Sequence, residues 1–231
     1  SLIKYAVMIV FFKTQLPRFH ASLLIVLVSL TATINGTTAE AVIARTLALE
    51  KQDLEDLIRI EAHLNSITTL TARFLQVSSN GEFSEGVIYL SRPGRMRVEY
   101  DLPNPVVLIA DGSSLIYIDR ELEQETAVLL KLTSADFILR KNLSFMSNEI
   151  LITGFNRSPG VFRVSIVKAA APLEGQLTLV FSDKPLELRK WTVTDAFGIK
   201  TTLSLLGTRF GQKINKDLFD YKLDNKGQDL N

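Results

Sequence analysis

The stretch Arg92-Pro-Gly-Arg-Met-Arg-Val-Glu-Tyr-Asp-Leu-Pro103 decides the fold. It opens on a turn, where proline presets φ and glycine tolerates a positive one. From Arg95 to Tyr100 it alternates strictly. Met96, Val98 and Tyr100 share one face, and Arg95, Arg97 and Glu99 the other. A period of two with one apolar face reads as a half-buried strand. Pro103 and Pro105 then break the chain. Upstream, residues 87–91 form the other arm of a hairpin across Arg92-Pro93-Gly94. Downstream, 106–110 is a continuous apolar run, and Asp111-Gly112 is a strong hairpin signal before 115–119. Residues 125–131 extend this meander.

The same alternation spreads in both directions. Residues 68–78 place Leu70, Ala72, Phe74 and Gln76 on one face, and Gly81 opens a turn. Before them, 45–65 is helical in pattern. Its expected stripe is Leu54, Leu57, Ile58, Glu61 and Leu64, with Asp53, Glu55, Asp56 and Arg59 opposite. A short helix is expected over 134–140, capped by Ser134 or Thr133. Strands resume at 150–155, 161–168, 175–182, 186–195 and 200–207, between turns at Ser158-Pro-Gly160, Asp183-Lys-Pro185 and Phe197-Gly198. Roughly ten regularly spaced strands specify a mainly β, antiparallel sandwich or barrel.

Several strands are apolar on both faces, notably 87–90, 106–110, 177–181 and 203–206. A sheet with one wet face should alternate. These strands therefore predict either a filled core or a half-barrel enclosing an apolar ligand beneath its helices. Arg92 bears on that choice, because by period two it shares a face with Ile88 and Leu90. A charge there needs partners. Either it meets carbonyls or polar groups of a covering helix, or the turn rotates it to solvent.

The first 41 residues read as a leader. Lys13 and Arg18 precede the apolar run Ala21-Ser-Leu-Leu-Ile-Val-Leu-Val-Ser-Leu30, and Ala39-Glu-Ala41 closes the stretch. This is the pattern of a secretory signal peptide with cleavage after Ala41. Its apolar run falls short of the ~20 residues a membrane helix needs. Translation is expected to begin at Met8, which leaves residues 1–7 upstream of the start. Residues 42–231 then form one exported domain. The whole chain of 231 residues has 26 Lys+Arg against 25 Asp+Glu, a formal charge of +1. Removing Lys4, Lys13, Arg18 and Glu40 with the leader leaves a charge of −1. Neither value provides the basic surplus a nucleic-acid binder requires.

Catalysis finds little support. The chain has no cysteine, which excludes a disulfide framework and thiolate chemistry. No nucleophile elbow, phosphate loop, dinucleotide fingerprint or zinc-protease motif occurs. His63 is the one histidine outside the leader and reads as structural or surface-exposed. Glu82, Glu85, Glu121, Glu123 and Glu125 sit in expected turns and polar faces, where solvation is their natural role. Trp191 reads as core. No cofactor, metal site or enzymatic activity is expected.

Taken in order, Phe74-Leu-Gln76, Gly81, Gly86, the Arg92–Pro103 stretch, Ile109-Ala-Asp-Gly112, Tyr117-Ile-Asp119 and Glu123-Gln124 resemble the LolA family of periplasmic outer-membrane lipoprotein carriers. The likeness spans roughly residues 65–221. It implies an incomplete antiparallel β-barrel with a helical lid over an apolar cavity. It also implies a monomeric carrier that takes lipoproteins from an inner-membrane LolCDE-type ABC exporter. The acyl chains would be shielded through the periplasm and delivered to an outer-membrane acceptor such as LolB. Arg92 would be the lid gate. Leu70, Phe74, Ile88, Leu90, Met96, Val98 and Tyr100 would face the acyl chains. Met96 stands where the family commonly has an aromatic residue. Phe219-Asp-Tyr221 resembles the family's last aromatic strand, and no role is assigned to the tail after it. Two other classes remain open at this stage. One is a lipid- or lipoprotein-sensing domain of envelope-stress regulation, and the other is a periplasmic enzyme on a β-scaffold.

Overall fold

A computed structural model describes residues 49–221. The expected leader, its cleavage site and residues 45–48 of the expected first helix lie outside the described residues. Helix α1 runs Lys51–Ser66. Eleven strands follow: β1 Thr69–Ser78, β2 Phe83–Ser91, β3 Arg95–Tyr100, β4 Val106–Asp111, β5 Ser114–Asp119, β6 Gln124–Leu129, β7 Ile150–Ser158, β8 Val161–Lys168, β9 Gly175–Ser182, β10 Glu187–Asp195 and β11 Lys200–Phe210. Between β6 and β7 lie a 3-10 turn, Leu130–Leu132, and helix α2, Ala135–Leu139. A second 3-10 turn, Lys216–Phe219, follows β11. It ends on Phe219, the first residue of the Phe219–Tyr221 stretch expected to resemble a strand, and Asp220 and Tyr221 form no strand.

All pairings are antiparallel, in the order β6-β5-β4-β3-β2-β1-β11-β10-β9-β8-β7. The edge strands β6 and β7 do not pair with each other, so the barrel stays open. Register shifts in β1, β7 and β10 add the local bends that bulges impose. The β2–β3 hairpin forms as the sequence predicts, with Leu90 opposite Met96 and Ile88 opposite Val98. Its Gly94 has φ +78 and lies so near the next turn that a Cβ would come within 2.8 Å of Gly112 Cα. Gly86 permits another close approach. A Cβ there would meet the Glu99 carbonyl at 2.0 Å and the Phe74 ring at 2.7 Å.

The concave face is apolar and covered. Leu57, Ile60 and Leu64 of α1 and Ala135, Phe137 and Leu139 of the α2 segment join the sheet's inward residues in one core. The helix stripe differs from the expected one. Asp56, Leu57, Ile60 and Leu64 are buried, whereas Ile58 is 65% exposed and Leu54 is also outside. Asp56 turns inward because two arginines meet it, which an apolar count cannot register. The doubly apolar β4 is covered twice. Val106, Leu108 and Ala110 face the concave core. Val107 and Ile109 pack with Ile116 and Ile118 on the convex side, beneath Tyr221 of the C-terminal segment.

Candidate ligand cavity and its lid

One side chain binds both lid helices. Arg92 extends from the end of β2 toward the spent ends of both helices. Its Nε donates to the Arg140 carbonyl at 3.0 Å, and Nη2 donates to the same oxygen. Nη1 donates to the carbonyls of Leu64 and Ile67, the latter at 3.4 Å. Nη2 also reaches Asn65 Oδ1 and the Lys141 carbonyl, each at 3.4 Å. The last carbonyls of a helix lack intrahelical donors and carry its negative end, so one guanidinium satisfies two helix termini at once. Burial lowers the Arg92 pKa, and no carboxylate offsets it. Arginine nevertheless stays charged across any physiological range.

Further bonds hold the lid halves to each other and to the sheet. The Asn65 side chain donates to the Leu143 carbonyl and accepts from the Leu143 amide, both at 2.9 Å. Glu61 Oε2 accepts from the Phe145 amide at 2.7 Å. The Gly94 amide donates to the Leu139 carbonyl at 2.8 Å. At the other end of α1, Asp56 binds Arg157 Nε at 2.8 Å and Arg59 Nη1 at 2.7 Å. Arg157 also reaches Asp53 at 3.0 Å. Sequence reading found Arg92 and missed Asn65, Glu61 and the Asp56–Arg157 pair. Two signals were available in the sequence: Glu61 within the expected apolar stripe and Asn65 at its end.

Leu70, Phe74, Ile88, Leu90, Met96, Val98 and Tyr100 all belong to the concave apolar layer. Met96, Val98 and Tyr100 line a small void together with Leu108, Trp191 and, from the lid, Ala135 and Ile138. Leu70, Phe74, Ile88 and Leu90 lie in the packed core outside that lining. The void measures about 20 Å³, room for roughly one water and far less than an acyl chain. The lid is therefore down. Tyr100 donates to Gln76 Oε1 at 2.8 Å and packs edge-on against Phe74, with ring centroids 5.3 Å apart. Burial holds the Tyr100 phenol well above the usual tyrosine pKa.

A second, more open groove of about 360 Å³ lies beside the end of α1. His63 lines it, wedged edge-on against Phe181 and Phe210. Burial lowers the His63 pKa, and Glu187 opposes this weakly. Among the described residues, no three His, Cys, Asp or Glu side chains converge as a metal site would require, and no helix is long and apolar enough to cross a membrane. The chemistry on offer is apolar enclosure governed by a hydrogen-bonded cover.

The family model described as "Outer membrane lipoprotein carrier protein LolA" matches residues 65–222. An outer-membrane lipoprotein carrier protein of Pseudomonas paraeruginosa is 35% identical over 171 residues, covering 71% of this chain and 81% of the relative. That of Azotobacter vinelandii is 28% identical over 189 residues, covering 78% and 90%. A solved LolA superfamily protein from Nitrosomonas europaea is 9% identical with a TM-score of 0.41, covering 72% of this chain and 97% of its own.

Proposed function

Because the chain belongs to the outer membrane lipoprotein carrier family LolA, we propose that it carries lipoproteins across the periplasm with their acyl chains held against the concave sheet. The observation that carries this reading is the Arg92 fork, which fastens both lid helices over the apolar concave face. Acyl burial is worth about 0.8 kcal/mol per methylene. A chain of about 16 carbons therefore gains on the order of 12 kcal/mol gross. Affinity of that size would trap the cargo. A lid whose opening costs free energy lowers the apparent affinity by the same amount and makes release feasible. Arg92 is the gate in this reading. Leu70, Phe74, Ile88, Leu90, Met96, Val98 and Tyr100 form the surface that opening exposes to the acyl chains.

Residues 1–41 act as the cleaved secretory leader, and 42–231 form a single, monomeric carrier domain. Cargo arrives from an inner-membrane ABC exporter of the LolCDE type, which supplies any ATP hydrolysis. It leaves to an outer-membrane acceptor such as LolB. The carrier makes and breaks no covalent bond and needs no cofactor. Native mass spectrometry of the mature protein, isolated from periplasm, tests the reading. A population heavier by one intact triacylated lipoprotein, and lost on adding outer membranes, is expected. Protein carrying only free fatty acid or phospholipid would refute lipoprotein carriage and leave a lipid-binding cavity. Bare protein that releases no lipoprotein from spheroplasts would refute both.

A further inference from the structure

The concave layer turns polar at one corner. The inward positions of β1 run Leu70, Ala72 and Phe74, then Gln76 and Ser78. Those of β11, taken toward the same end, run Leu205 and Leu203, then Thr201. Ser78 and Thr201 stand directly opposite each other in the β1–β11 pairing. They are 8% and 4% exposed. Neither Ser78 Oγ nor Thr201 Oγ1 has a hydrogen-bond partner among the described residues. Gln76 is the next inward residue along β1, and its Oε1 accepts from Tyr100 at 2.8 Å.

A buried hydroxyl without a partner costs stability, and alanine and valine would fill these two places without that cost. Folding alone therefore gives no reason for them, but their position does. Thr201 pairs with Val193 and Gln76 with Leu203. Val193, Leu203 and Tyr100 all line the void beneath the lid. The polar corner thus borders the space against which an acyl chain would lie. A bare hydrocarbon offers a hydroxyl nothing to bond. Both hydroxyls can donate, and the Tyr100 bond commits Gln76 Oε1, so the amide's contribution to a ligand is its N–H donors. These side chains carry no charge, so a carboxylate there would be buried without a counter-ion. The set suits a neutral acceptor oxygen, which is what an ester carbonyl supplies.

We propose that Gln76, Ser78 and Thr201 form a hydrogen-bonding subsite for the carbonyl of an acyl ester, which holds the polar end of a bound chain at this corner of the cavity. Tyr100 orients the Gln76 amide. The proposal rests on the carrier reading above. Displacement of N-phenyl-1-naphthylamine, an apolar probe with no carbonyl, tests it on delipidated protein isolated from periplasm. Methyl palmitate should displace the probe at a concentration about tenfold lower than a hydrocarbon of equal length, and free palmitate should rank below its methyl ester. Ser78→Ala combined with Thr201→Val should remove most of that preference and leave displacement by the hydrocarbon unchanged. The same double substitution should hold or raise the urea midpoint of the ligand-free protein, because it removes only unbonded hydroxyls. An ester preference that survives it, or palmitate binding more tightly than its ester, would overturn the subsite. A lowered urea midpoint would do so too, by showing that the hydroxyls are bonded within the fold. Failure of the unaltered protein to take up the naphthylamine counts against the cavity and the subsite together, whereas normal uptake with no ester preference counts against the subsite alone.

Discussion

At the scale of single residues, Arg92 and Tyr100 place opposite demands on the same apolar layer. Arg92 brings a charge to its border and is offset by four main-chain carbonyls and Asn65. Leucine at that position fills the space but leaves the ends of both helices uncapped. Arg92→Leu is expected to raise the apparent affinity for a fluorescent fatty acid about tenfold or more, because less opening free energy is subtracted. Its release should slow in proportion. Unchanged affinity and release rates in stopped-flow fluorescence would remove the gate role. Tyr100 contributes a pH dependence. Burial raises its folded pKa, so the unfolded chain gives up the phenol proton first, above about pH 10. Stability is then full below about pH 10 and falls above it, by up to about 1.4 kcal/mol per pH unit. Urea midpoints measured on either side of that pH should show the fall, and Tyr100→Phe should lessen it. Tyr117, whose pKa moves the same way through burial and Asp119, retains a remainder.

At the scale of elements, α1 is held differently at its two ends. Its last turn is fastened by neutral carbonyls meeting Arg92. Its first turns are fastened by Asp56, whose carboxylate is only 10% exposed between Arg59 and Arg157. The outlying Arg59–Asp183 contact is half-exposed and contributes little. Asp56→Ala removes the buried member but leaves Asp53 to Arg157 and Asp183 to Arg59. The expected loss is therefore about 1–3 kcal/mol, below that of a fully orphaned buried charge. Hydrogen exchange should quicken in 51–57 and stay near its original rate in β1. An effect spread evenly over the chain would show instead that Asp56 serves global stability. This element also marks where sequence reading stops. Strands β3, β8 and β9 match their expected spans, because alternation and turn residues are local signals. The α1 stripe is turned relative to the expected one, because Asp56 is paid for by an arginine 101 residues away. The tail escaped assignment for a similar reason. Phe219 is buried, and Tyr221 covers Val107 and Ile109, but neither partner is visible along the chain. The double apolar face of β4 was legible, and the identity of its second cover was not.

At the scale of the whole molecule, the two kinds of bonding divide the work of opening. Ladder hydrogen bonds join all eleven strands in one sheet, and breaking a ladder removes many bonds together. The lid is joined to the sheet by apolar contact and by a few separable bonds from Arg92, Gly94 and Asp56. A void of about 20 Å³ cannot admit an acyl chain, so in the proposed function loading would displace whichever part yields first. Cooperative units of lower local stability open first. The unit expected to open first comprises α1, α2 and the segment up to Phe145. An inserted chain restores apolar contact to the sheet beneath, whereas the raised helices lose their carbonyl partners. Palmitate binding is therefore expected to speed hydrogen exchange in 58–67 and 134–145 while slowing or sparing β1, β9 and β11. The opposite pattern, with helices protected and strand amides exposed at the β6 and β7 edges, would mean that the half-barrel spreads beneath a fixed lid. In that case Arg92 would be an anchor for the helices, and the gate would lie in the sheet.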